Sequence, residues 1–162
     1  MTVYLDDLAV GLTYSTSRRT ITEADITNFA GVSGDFNPLH VDDVFATCET
    51  PYGERIAHGL LVTAVGSGLR SDLDDWATIA YLECTRRFRR PVLMGDTVGV
   101  TYEITDVRIS ASRPTLGVVQ IKVAVLNQKD EEVQEGVDVV MVARDPARQE
   151  RSDNEISRPG TQ

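Results

Sequence analysis

The sequence predicts an α+β domain with its helices gathered on one side of an antiparallel sheet. Three observations predict it. Helical spacing with capping signals occupies the first half of the chain. The most apolar segment, residues 58–73 (HGLLVTAVGSGLRSDL), reads as one long central helix. From Trp76 onward the hydrophobic period shortens to two, as in strands. A chain of 162 residues, 41% apolar and 25% charged, is large enough for one domain with a real core. No repeat or linker divides it, and residues 1–143 are taken as that domain.

The elements follow in order. Residues 13–19 alternate and are polar, which suits an exposed strand. Thr22 precedes an acid-rich helical start, with Asp25 in the capping-box position. Ile21, Ile26, Phe29 and Ala30 supply its apolar positions, and Gly31 and Gly34 end it. Residues 35–39 contain Pro38 and read as a tight turn. Residues 41–48 form a short helix with Asp42 and Asp43 near its start. Glycines 59, 66 and 68 in the apolar helix each cost about 1 kcal/mol against alanine. Their presence implies that a sheet or a ligand approaches closely. Strands are expected at residues 77–87, 97–107, 117–126 and 132–142. The alternation of Val119, Ile121, Val123 and Val125 marks a sheet with one buried face. Gly95-Asp96 makes the turn before the second of these strands, and residues 127–131 make a hairpin. The polar tail, residues 144–162, is expected to be disordered.

Charge and cysteine content exclude several classes. A net charge of −9 repels phosphate, so neither nucleic acid nor an anionic membrane is expected as the main partner. Coenzyme A is also anionic, but a local basic patch can bind it on an acidic protein. Cys48 and Cys84 share no CxxC spacing and no His/Cys set, so no metal site is expected. They read as buried free thiols in a reducing cytosol, which gives a cytoplasmic location. The first residues carry acids and no basic region before an apolar stretch, unlike a signal peptide. No apolar run approaches the length of a membrane span.

The densest polar cluster is Ser33-Gly34-Asp35-Phe36-Asn37-Pro38-Leu39-His40. It sets a carboxylate and an imidazole at either end of a proline-containing turn, which can aim both at one spot. Such a pair can relay a proton through one water. Equally, Asp35 can cap a turn and His40 the next helix. In the second cluster, Ile56-Ala57-His58-Gly59-Leu60-Leu61, a helix begins at a glycine. Its free N–H groups can receive an anion or a developing oxyanion, and a glycine lets a carbonyl come close. His58 there is equally an N-cap or a packed core histidine.

The segments GDFNPLHVDDVFA, IAHGLLVTAVGSGL and FRRPVLMGDTVGVTYEI together resemble the MaoC-like dehydratases, which include the (R)-specific enoyl-CoA hydratases. The resemblance covers most of the chain, about residues 14–142. It implies a hotdog fold, an antiparallel sheet wrapped around the long central helix. It implies a homodimer or higher oligomer, with each site close to the subunit interface. It assigns catalysis to Asp35 and His40 and part of an oxyanion hole to the Gly59 N–H. Asn37 would hold the loop or the catalytic pair, and Ser67 and His58 would lie near the substrate. The implied reaction adds water reversibly to a 2-enoyl thioester of coenzyme A or acyl-carrier protein, with no metal or redox cofactor. Relatives often lack charge in the strand after the central helix. Here Arg86, Arg87, Arg89 and Arg90 make a local basic patch. It is either a solvated strand face or a landing site for the phosphates of coenzyme A or for an acidic carrier. Two rival readings of the chain are a non-catalytic hotdog partner subunit and a hotdog thioesterase.

Overall fold

The computed structural model describes residues 1–148. After a 3₁₀ turn at Leu5–Asp7, two short strands, β1 (Thr13–Ser15) and β2 (Arg19–Thr20), share the expected first strand. The chain turns away between them, where the Thr16 hydroxyl accepts from Val100 N–H at 2.9 Å.

Helix α1 (Glu23–Ser33) starts as expected. The Thr22 hydroxyl accepts from Asp25 N–H at 3.3 Å, and the Asp25 carboxylate accepts from Thr22 N–H at 2.9 Å. Gly34 closes the helix at φ 76°, a left-handed conformation that glycine adopts without steric cost. The short helix expected at residues 41–48 is present one or two residues later, and the turn expected before it is partly helical. Proline opens α2 (Pro38–Val41). Asp42 then caps α3 (Asp43–Glu49), accepting from the N–H groups of Val44 and Phe45.

Helix α4 (Gly59–Ser67) buries Leu61, Val62 and Val65 against the sheet. It is shorter than expected and ends at Ser67 rather than near residue 73. The chain restarts in a 3₁₀ turn, Asp72–Asp75, capped reciprocally by Ser71 and Asp74. Leu69 and Leu73 still pack on the core from outside the helix, which is why the apolar pattern runs past its end.

Four long strands, β3 (Thr78–Phe88), β4 (Thr97–Ile109), β5 (Leu116–Leu126) and β6 (Glu132–Ala143), make the sheet. Its order is β1-β4-β5-β6-β3, with β2 also on β4 and every strand pair antiparallel. The alternating side chains Val119, Ile121, Val123 and Val125 are all buried, as are Val98, Val100 and Ile104 on β4. Helix and sheet are in close contact. A methyl group at Gly66 would stand 3.1 Å from Val100 Cγ2. A sheet curled around one apolar helix is the hotdog arrangement.

The hairpin at residues 127–131 is built by Asn127, whose side-chain oxygen accepts from Lys129 and Glu131 N–H. The turn at Gly95-Asp96 is also present, with the Asp96 carboxylate accepting from Leu93 N–H at 2.8 Å. Cys48 and Cys84 are exposed free thiols, not buried ones. One lies on the short helix α3, the other on β3, which among the described residues pairs only with β6 and leaves its second edge unpaired.

Two ionic contacts shape the body. On β3, Arg86 forms a two-pronged bond with Asp138 of β6 at 2.5 and 2.9 Å, both side chains almost fully buried. Burial opposes the Arg86 charge, but the Asp138 carboxylate outweighs it and holds the guanidinium above its ordinary pKa. Arg86 is therefore a structural residue. Partial burial of its hydroxyl, followed by the neighbouring Asp138 carboxylate, pushes the pKa of the otherwise exposed Tyr81 up. Just past the end of β6, Asp6 accepts from Arg144 at 2.8 Å and from Asp145 N–H at 2.9 Å. Arg148 bonds the Asp6 carbonyl and the Asp7 carboxylate. Residues 144–148 are thus pinned to the body, against the expectation of disorder from residue 144. The rest of the expected tail lies outside the described residues.

Truncating one member of a buried pair leaves the other charge stranded. Arg86→Met should cost about 3–5 kcal/mol, and Arg86→Met with Asp138→Leu should recover most of it, both read by urea unfolding. Burial alone would raise the Asp6 pKa, but Arg144, Asp145 N–H and Arg148 together bring it below its usual value. Its stabilisation is therefore present above the unfolded value of about 3.9 and is lost as pH falls through the lower folded value. Asp6→Asn should melt a few degrees below the parent near neutral pH, and the two melting temperatures should converge in acid.

Candidate active site

The loop between α1 and α2 is built by short polar bonds. The Ser33 hydroxyl donates to the Phe29 carbonyl at 2.7 Å and accepts from Asp35 N–H at 3.2 Å. The Asp35 carboxylate accepts from Asn37 N–H at 3.2 Å, and the Asn37 side-chain oxygen from Leu39 N–H at 3.0 Å. Pro38 supplies the first residue of α2, where a missing N–H costs nothing. One turn of helix then carries His40 inward, to 9% exposure, while Asp35 stays open to solvent.

Longer-range bonds join this loop to the strand-like segment that leads into α4. Ile56 N–H donates to the Leu39 carbonyl at 3.3 Å. His40 Nδ1 lies 2.8 Å from the Ile56 carbonyl, and His58 Nε2 lies 2.9 Å from the Asp35 carbonyl. A carbonyl can only accept, so His40 carries a proton on Nδ1, which in the neutral ring leaves the Nε2 lone pair free. His58 carries its proton on Nε2. The two imidazoles stack with centroids 3.8 Å apart and planes 28° from parallel. The Phe29 ring backs His58 at 5.1 Å.

Asp35, His40 and His58 bring a carboxylate oxygen and two ring nitrogens within 4.8 Å of one another. This donor set could in principle hold a cation. Nearly parallel stacked rings, however, send their in-plane lone pairs side by side rather than to a common point. A tetrahedral ion needs converging donors, so the arrangement fits proton transfer through water better than metal binding.

The cluster lines a half-open cavity of about 540 Å³. Asp35, His40 and Gly59 are on its wall, Val62 and Gln134 also line it, and the lining includes Phe88, Arg89 and Arg90. The first N–H groups of α4 have no intrahelical acceptor; its first backbone bond runs from Val62 N–H to the His58 carbonyl at 3.2 Å. Gly59 has no left-handed backbone angle. Its lack of a side chain matters because a methyl there would stand 2.6 Å from Phe88 Cε1. The close approach expected at Gly59 is therefore present, with the Phe88 ring as the neighbour.

Of the expected site residues, Asp35, His40, His58 and Gly59 come together at this cavity. Asn37 serves the loop, as its N-cap bond shows. Ser67 does not line the cavity; it sits about 12 Å along α4 from Gly59, at 1.5 Å per residue, with its hydroxyl on the Ala64 carbonyl. The basic patch divides. Arg86 is spent on Asp138, whereas Arg89 and Arg90 line the cavity, held respectively by Glu135 and by the Glu132 carbonyl.

Gln134 escaped the sequence reading. Its amide donates to the Gly59 carbonyl at 2.8 Å and accepts from the Thr63 hydroxyl at 2.9 Å, bracing the first turn of α4 from β6. Its signal was a lone amide on the same inward parity as Val140 and Val142.

Comparison with known proteins agrees with this fold. Residues 8–127 match the family described as MaoC like domain. The chain is 38% identical over 104 residues to the 3-hydroxybutyryl-CoA dehydratase of Methylorubrum extorquens, covering 64% of this chain and 65% of that protein, just under two thirds of its length. It is 36% identical over 102 residues to an (R)-specific enoyl-CoA hydratase of Rhodospirillum rubrum, covering 63% of this chain and 69% of that one. A solved structure from Archaeoglobus fulgius, described as a monoamine oxidase regulatory protein, superposes with a TM-score of 0.80 at 31% identity over 90% of this chain and 97% of its own. With a family match across most of its length and a sheet-wrapped helix whose first turn meets the Asp35–His40 loop, the chain belongs to the MaoC-like dehydratase family.

Proposed function

We propose that this protein reversibly hydrates a 2-enoyl thioester to the 3-hydroxyacyl thioester. One observation carries the reading. The Asp35 carboxylate and the free Nε2 of His40 share a cavity wall with the start of α4. A water held between them has an acceptor for its proton in His40 Nε2. Its oxygen bonds to C3 as the C2=C3 bond opens, and charge moves onto the thioester oxygen. The Gly59 N–H is the donor that meets that charge. A proton delivered to C2 completes the addition, so all the atoms of water end in the product and no cofactor is consumed. The proton taken from the water is passed between His40 and the Asp35 carboxylate and returned to C2.

The thioester carrier is coenzyme A or acyl-carrier protein, and Arg89 and Arg90 at the cavity suit its phosphates. The functional unit is a homodimer. Strand β3 leaves an open edge with exposed Ile79, Tyr81, Leu82 and Phe88, and such an edge invites pairing with another copy. A cytoplasmic location fits a soluble acyl-thioester enzyme. Among the described residues no helix is long and apolar enough to cross a membrane.

Incubation with crotonyl-CoA and longer enoyl-CoA substrates should remove the enoyl absorbance without releasing free thiol. Thiol release would establish a thioesterase, and inertness toward every chain length would favour the non-catalytic subunit. Asp35→Asn and His40→Ala should each lower kcat by about a hundredfold or more, the contribution of one positioned proton-transfer group. Their melting temperatures should stay close to the parent's. Near-normal turnover in either variant would remove that residue from the chemistry.

Gly59→Ala tests the oxyanion assignment. It should lower kcat on the order of a hundredfold, comparable to losing one oxyanion donor. Because the added methyl also meets Phe88, the double variant Gly59→Ala/Phe88→Ala separates two causes. A loss that persists there lies in the approach of the thioester. Recovery of turnover would make Gly59 a packing residue only.

A further inference from the structure

We infer that His58 is a positioning residue, whose Nε2–H fixes the Asp35 peptide and so sets the carboxylate and the His40 ring opposite the start of α4. His58 occupies the N-cap of α4, where a polar side chain ordinarily bonds the first turn of its own helix. Here no side-chain cap bond is made. The ring is diverted to the Asp35 carbonyl at 2.9 Å, and its flat face lies on His40. The diversion has a cost: Nδ1 is left buried with no hydrogen-bond partner among the described residues, in a side chain only 2% exposed. A buried orphan of this kind is uncommon and is tolerated where position matters more than local stability. With the Ile56 carbonyl already holding His40 Nδ1–H, the His58 bond is the second tie between the segment preceding Gly59 and the proton-transfer pair. His58 thereby couples the two halves of the site. Asp35 lies on an exposed loop after Gly34, and among the described residues its remaining bonds reach only Ser33 and Asn37, two residues either side. The resemblance placed His58 beside the substrate, and His58 does line the cavity; the hydrogen bonding gives it this indirect task as well.

The kinetic part of the inference rests on the hydratase reading, but its first test does not. In the parent protein, long-range ¹H–¹⁵N spectra report which ring nitrogen of each histidine bears the proton. His58 should be the Nε2–H form and His40 the Nδ1–H form. A His58 in the Nδ1–H form has no donor for the Asp35 carbonyl and overturns the proposal, whatever the protein catalyses. The second test uses two substitutions. His58→Gln can place an amide N–H near the Nε2 position, whereas His58→Phe keeps a stacked ring without the donor. On an active enoyl-CoA substrate, His58→Phe should lower kcat on the order of a hundredfold with KM nearly unchanged, as expected when reacting groups are displaced slightly. His58→Gln should recover most of that loss. Equal activity of His58→Phe and the parent, or equal loss in both variants when both remain folded, rejects the donor role. A lower melting temperature with unchanged kcat in the folded protein would make His58 structural alone.

Discussion

The close packing of α4 into the curl of the sheet is the constraint from which the rest follows. Leu61, Val62 and Val65 fill one side of the helix, and Gly66 lets its backbone come near Val100. That fit fixes the helix along its axis and so fixes where its first turn begins. Gln134 adds a polar brace at the same point, tying the Gly59 carbonyl to β6. A helix start held from both the core and the sheet cannot drift, which is the condition for its N–H groups to act as a preorganised electrostatic site. Burial and chemistry are thus joined along a single element: its middle is core and its start is cavity wall.

The Asp35–His40 loop has no comparable packing of its own. Few of its side chains are buried, and Phe36, next to the carboxylate, is exposed. Its order comes from hydrogen bonds, first internal ones through Ser33 and Asn37, then the ties to Ile56 and His58. The internal bonds make a turn of the right shape. The cross-links place that turn relative to α4. The catalytic geometry therefore depends on a few polar contacts set against a rigid apolar frame, and the tautomers of both histidines follow from those contacts.

Local physics was legible in the sequence, and long-range physics was legible only in part. The Thr22–Asp25 cap and the Asn127 hairpin were readable because donor and acceptor lie within a few residues. The four long strands emerged within two residues of their expected bounds, since alternation reports the buried face directly. The end of α4 was not readable. Leu69 and Leu73 continue an apolar period although the backbone has left the helix, and only the Ser71–Asp74 cap betrays the break. Asp35 and His40 could be paired from their turn, but nothing local to His58 announces that its ring serves the Asp35 carbonyl rather than its own helix.

The arginines of residues 86–90 show why charge in a sequence does not by itself define a surface. On β3 alternate side chains point to opposite faces, so neighbours in sequence meet different surroundings. Arg86 turns inward to Asp138 and is lost to any ligand, and its two-pronged bond ties the edge strand β3 to β6. Arg89 and Arg90 lie beyond the end of the strand, where the chain curves past the cavity, and each is steadied by β6 through Glu135 or the Glu132 carbonyl. A patch that reads as one feature is thus divided by the pleat and by the strand's end into a structural pair, an exposed Arg87 near Glu135, and a cavity rim. Only the rim can add positive potential to a site on an otherwise acidic protein, and there it acts at short range, where a net charge of −9 spread over the whole surface has little influence at physiological ionic strength.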